Sequence, residues 1–151
     1  MARHTAGVRW ERGDAVFSDN RYSRAHRWFF DGGLEIPASS SPHVVKVPLS
    51  DPGAVDPEEA FVAALASCHM LWFLSLAAAR GWVVDGYEDE AEGLMRRDDR
   101  GKLAMTRVTL HPRVLYHGDG PTAEDERALH HEAHEACFLA NSVHTEITIA
   151  L

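Results

Sequence analysis

The chain has 151 residues, 45% of them apolar and 25% charged, and a formal net charge of −8 at pH 7. That length suits a single domain spanning residues 1–151, and that mixture is the composition of an ordinary globular protein. The acidic balance excludes nucleic acid and anionic membranes as partners, because phosphate binding needs a basic face.

The arginines nevertheless gather in residues 1–30, where Arg3, Arg9, Arg12, Arg21, Arg24 and Arg27 face only Glu11, Asp14 and Asp19. Such a segment suits either a solvated surface or a local anionic site. The first residues lack the apolar core of a secretory signal, and no wholly apolar run reaches the length of a membrane span, so a cytoplasmic protein is expected. Two cysteines in that compartment are not a disulfide scaffold. The ten histidines keep a metal site in view.

In chain order, His4–Arg12 and Ala25–Phe30 read as strands, and Asp31-Gly32-Gly33 turns the chain into Leu34–Ile36. Pro37–Pro42 and Ser50–Pro57 read as loops, with Val44–Leu49 a short strand between them. Asp56 then opens a helix on four agreeing signals. Asp56 suits the N-cap, Pro57 the first helical position, Glu59 the capping-box position, and Glu58 with Glu59 the positive end of the helix dipole. From Phe61 to Ala79 nearly every residue is apolar or small, which predicts a helix buried almost all round and ended at Gly81. Such a helix needs a sheet, another helix and a second subunit to cover it.

Val83–Arg96 and Lys102–Tyr116 flank Arg97–Gly101 and read as a hairpin. Thr122 with Asp125 marks the start of a second helix, Ala123 to Phe138, and Val143–Leu151 closes the chain as a strand. The order predicts an α+β fold with a mainly antiparallel sheet.

Cys68 falls inside the first helix and Cys137 near the end of the second. Taken alone, each suits an inert core position, since free cysteine is among the most buried residue types. His130, His134 and Cys137 also fall on one helical face as His-x-x-x-His-x-x-Cys, a zinc-like set to which Cys68 could add a ligand. The aromatic run Trp28-Phe29-Phe30 leaves a third reading, a non-enzymatic module that binds an apolar ligand.

The segment Asp56-Pro57-Glu58-Glu59-Ala60-Phe61, running through small residues to Cys68, resembles the helix that carries the peroxidatic cysteine in the OsmC/Ohr family. Ala133-His134-Glu135-Ala136-Cys137 is similar to that family's second-cysteine helix. The resemblance extends over the whole chain in element order. It implies an OsmC-like fold, with antiparallel sheets around a long central helix bearing Cys68, in an intertwined homodimer.

It also implies a thiol-dependent peroxidase for organic and also inorganic hydroperoxides, acting without a cofactor. Cys68 would pass through a thiolate, a sulfenic acid and a Cys68–Cys137 disulfide, which a dithiol such as a lipoyl group resets. An arginine held by Glu58 would lower the thiol pKa; Arg24 is preferred for it and Arg21 is the alternative. Glu58 and Cys68 are ten residues apart, about 15 Å along a helix and on different faces, so Glu58 and its arginine would come from the partner subunit. The chain departs from the family pattern at Phe138, where proline usually follows the second cysteine. His69 points about 100° away from Cys68 around the helix and is not assigned a role.

Overall fold

A computed structural model describes residues 1–151, which fall into two compact units, Met1–Ala60 and Phe61–Leu151. In the first unit, strands β1 (Ala6–Arg9), β2 (His26–Phe30) and β3 (Glu35–Ala38) form an antiparallel meander in that order. Gly33 makes the β2–β3 turn at φ 85°, a conformation that costs glycine nothing. Gly7 lies opposite Phe29, and a Cβ on it would stand 2.0 Å from the Phe29 ring. The ring therefore lies over bare backbone, with the Arg9 guanidinium 5.2 Å from its centre. Phe29 thus packs across its own sheet.

Two expected strands change here. His4–Arg12 pairs only over Ala6–Arg9. Val44–Leu49 forms turns instead, with the Val44 and Val45 N–H groups donating to Ser41 and the Leu49 N–H to Lys46. Pro48 lies inside that segment, and proline cannot donate to a ladder.

Helix α1 (Pro57–Ala79) begins as the sequence predicts. Asp56 Oδ1 accepts the Glu59 N–H at 2.8 Å, and Glu59 Oε2 accepts the Asp56 N–H at 3.2 Å, a closed capping box. Gly81, at φ 78°, ends it. The expectation of burial all round is not met. Leu65, His69, Phe73 and Ala77 form one buried stripe at i, i+4 spacing, while Ala63, Ala64, Ser67, Leu71, Ser75 and Ala78 are exposed. Length and composition alone would also let α1 cross a membrane. Its inner face instead belongs to a protein core.

In the second unit the expected hairpin divides into four strands, β4 (Val84–Asp89), β5 (Glu92–Arg97), β6 (Leu103–Leu110) and β7 (Pro112–Tyr116). β5 and β6 form the hairpin, turned by Asp98, whose Oδ1 accepts the Arg100 and Lys102 N–H groups at 2.9 Å. β4 leaves β5 and pairs with β7 in a sheet of its own. Asp89 Oδ1 accepts the His111 N–H at 2.8 Å and ties the two corners where the arms change sheet.

Helix α2 (Ala123–Ala136) follows, capped by Thr122, whose Oγ1 accepts the Asp125 N–H at 3.1 Å. It stops two residues short of Phe138, so Cys137 is its C-cap and not a helical residue. Strand β8 (Glu146–Ile149) adds to β6 in parallel, beside otherwise antiparallel pairings. Two apolar cores result. One joins Phe73 and Ala77 to Leu129 and Ala133, and the other joins Leu65 to Val108 and Leu110.

Candidate active site

The second unit brings both cysteines together. Cys68 sits midway along α1 and is half-buried, whereas Cys137 is sealed at 1% exposure. Both are free thiols. Burial, and then a hydrogen bond with the Cys68 thiol, push the Cys137 thiol above its ordinary pKa. The Ala140 N–H donates to Cys137 Sγ at 3.4 Å and works in the opposite direction, because it favours the thiolate. That donor exists because the chain leaves α2 at Cys137 and tightens into a 3-10 turn, Ala140–Ser142.

Beside the thiols lies a pair that the sequence did not mark. His69 Nε2 and His130 Nδ1 are 3.0 Å apart, and each residue is 1% exposed. Their ring planes agree within 4° and their centres are 5.3 Å apart, so the hydrogen bond runs in a common plane. Phe73 stacks on His130 at 4.2 Å. Burial lowers both pKa values to about 4, with the His134 charge adding to the effect on His69 and the His69 charge to that on His130. The pair is neutral at pH 7, and one ring donates to the other. His69 Nδ1 and His130 Nε2 are buried with no partner.

The zinc-like set is not assembled, since no group of three His, Cys, Asp or Glu residues gathers to hold a metal ion. His130 turns its Nδ1 to His69, and Cys137 lies past the end of the helix that would have aligned it with His134.

Arg24 and Glu58 belong to the first unit. Arg24 is fixed at every level. Its N–H donates to Leu49 at 2.7 Å, and its carbonyl accepts from His26 Nδ1 at 2.7 Å. The tautomer of His26 follows, because its Nε2 accepts the Trp28 indole N–H at 3.0 Å. The Arg24 guanidinium donates to Asn20 Oδ1 at 2.9 Å and to the Tyr22 carbonyl, and lies 3.7 Å from the Tyr22 ring centre. Arg21 has only a backbone bond, its N–H to Asp19 Oδ1, and is exposed. No ion pair joins Arg24 to Glu58, whose Oε2 is buried and unpaired within the chain.

Fold and site together define a class: an α+β protein in which a cysteine on a long helix meets a second cysteine at the end of another. Residues 50–151 match the family described as OsmC-like protein, and the chain belongs to that family. A solved OsmC-like protein of unknown function from Vibrio cholerae is 53% identical over 99% of both chains, with a TM-score of 0.97. An organic hydroperoxide resistance protein OsmC from Legionella pneumophila shares the fold at 20% identity, covering 100% of both chains with a TM-score of 0.67. The organic hydroperoxide resistance protein OhrB of Bacillus subtilis does so at 18% identity, over 99% of this chain and 98% of its own, with a TM-score of 0.68. Among curated proteins none matches the chain.

Proposed function

We propose that the protein is a thiol-dependent peroxidase that reduces organic hydroperoxides through Cys68. The observation that carries this reading is the thiol pair, one sulfur half-exposed on α1 and the other sealed beside it. Inert core cysteines have no need to meet. The names of the Legionella and Bacillus proteins point to the same substrate class.

The Cys68 thiolate attacks one oxygen of the hydroperoxide and breaks the O–O bond. Sulfur is oxidised to the sulfenic acid, and the alkoxide takes a proton and leaves as the alcohol. The Cys137 thiol then attacks the sulfenic sulfur, the S–S bond forms, and water departs with the Cys137 proton. A dithiol such as a dihydrolipoyl group reduces the disulfide by exchange and leaves as its own disulfide. The Ala140 N–H at Cys137 Sγ supports the closing step, because a donor at that sulfur favours its thiolate.

Thiolate formation at Cys68 calls for a cation, and Arg24 is the arginine held ready by its surroundings. Glu58 Oε2, buried without a partner, suits a carboxylate that waits for one. The ten-residue separation of Glu58 from Cys68 along α1 supports a homodimer in which Arg24 and Glu58 of one copy serve the Cys68 of another. Leu71 on the outer face of α1, 61% exposed, Val8 on β1, 67% exposed, and Leu34 in the β2–β3 turn, 61% exposed, are apolar surface for a second copy to cover. A cytoplasmic setting would keep both thiols reduced between turnovers.

The test is consumption of tert-butyl hydroperoxide and of hydrogen peroxide, with dihydrolipoamide or a monothiol as reductant. Dithiol-dependent turnover that Cys68→Ser abolishes supports the reading. Equal consumption by Cys68→Ser ends it.

A further inference from the structure

The geometry points to His69 and His130 as positioning residues, whose hydrogen bond holds α1 and α2 in the register that lets Cys137 close on Cys68. This rests on the peroxidase reading and names the groups that serve its second step. His69 is the residue after Cys68, and His130 lies on α2, seven residues before its C-cap Cys137. The tie is therefore built into the two segments that carry the sulfurs.

Elsewhere Phe73 and Ala77 pack on Leu129 and Ala133, and at the far end of α1 Arg80 donates to Glu132 at 2.6 Å, a pair of long, partly exposed side chains. The apolar contacts are non-directional, and a solvent-screened pair on flexible side chains follows a small shift, so neither stops one helix sliding along the other. A disulfide does not tolerate it, since its Cα atoms must lie roughly 4.4–6.8 Å apart. A slip of one residue, about 1.5 Å, uses most of that window.

The His69–His130 bond is directional by contrast. Its two rings share a plane within 4°, its donor and acceptor are 3.0 Å apart, and Phe73 clamps one ring at 4.2 Å. Two imidazoles that bury His69 Nδ1 and His130 Nε2 unpaired are a poor means of gaining stability, which a leucine pair would provide at lower cost. They are a good means of selecting one register. The neutrality of the pair at pH 7 keeps the tie free of buried charge.

Single-turnover oxidation by tert-butyl hydroperoxide tests this, with sulfenic acid trapped by a dione probe and disulfide followed by mass spectrometry. The informative comparison is His69→Asn, whose amide is too short to reach His130, against His69→Gln, whose amide nitrogen stands where Nε2 stood. His69→Asn should oxidise Cys68 within about threefold of the wild-type rate but close the disulfide about tenfold or more slowly, with over-oxidation of Cys68. His69→Gln should recover most of the closing rate. Asparagine and glutamine variants that close equally fast overturn the inference, as does an equal slowing of both steps. A wild-type protein that closes the disulfide while the variants match it refutes only this role. A wild type that leaves Cys68 unoxidised removes the peroxidase reading beneath it.

Discussion

Acid should unfold this protein earlier than its carboxylates require, because two histidines are buried without charge. Each has an ordinary pKa near 6.5 and a folded value of about 4. The unfolded chain therefore binds more protons across this window, so the stability is fully present above pH 6.5 and is lost as pH falls toward 4. Between pH 6.5 and pH 5 each ring contributes about 1.5 pH units at about 1.4 kcal/mol per unit, or roughly 2 kcal/mol. The pair then gives about 2–4 kcal/mol, the lower end allowing for relaxation around the first proton. For a chain of this size that lowers Tm by about 5–15 °C. Thermal unfolding at fixed protein concentration, from pH 7.5 to pH 5, measures it for the wild type and for a His69→Gln/His130→Asn variant that cannot take up these protons. The wild type should lose the stated amount more than the variant does. Parallel curves for the two proteins would refute the buried neutral pair.

Other outcomes follow from the same structure. Arg24→Ala should slow Cys68 oxidation about tenfold or more by removing the cation that favours the reacting thiolate, and Arg21→Ala should be mild; the reverse ranking of the two oxidation rates moves the assignment to Arg21. Leu71→Arg, on the open face of α1, should turn a homodimer into a monomer or aggregate in light scattering at micromolar concentration. A wild-type protein that is already a folded monomer removes the proposed shared site. Asp56→Ala opens the capping box and should cost about 1 kcal/mol in denaturant titration; no loss would mean that Glu59 or Pro57 suffices to start α1.

The parts legible in the sequence were those fixed by neighbours in the chain. Asp56, Pro57 and Glu59 start α1 through contacts within one turn, and Thr122 does the same for α2. The two cysteines were legible through the resemblance of the segments around them, and the structure brings them together. Apolar content announced that α1 needs cover, but composition reports how much surface must be hidden and not which chain hides it. The β4–β7 pairing was missed because alternation marks strands and says nothing of which one they join. Val44–Leu49 misled because β-branched residues outweighed Pro48 in the reading.

The histidine pair depends on tertiary contact, His69 and His130 being 61 residues apart. One signal was available: His69 adjoins Cys68 and His130 lies on the helix that leads to Cys137, so elements that bring the cysteines together also bring these two residues near. The hold on Arg24 was likewise not legible, since it depends on the loop, where Asn20 takes φ 61° and turns its side chain to the guanidinium.

The central claim is that Cys68 and Cys137 form a redox pair driven by hydroperoxide. Adding one equivalent of tert-butyl hydroperoxide to fully reduced protein, followed by mass spectrometry of non-reduced peptides, tests it most directly. The account predicts loss of both thiols and one intrachain Cys68–Cys137 disulfide, with Cys137→Ser stopping at a trappable sulfenic acid on Cys68. Two thiols still free after treatment would contradict it.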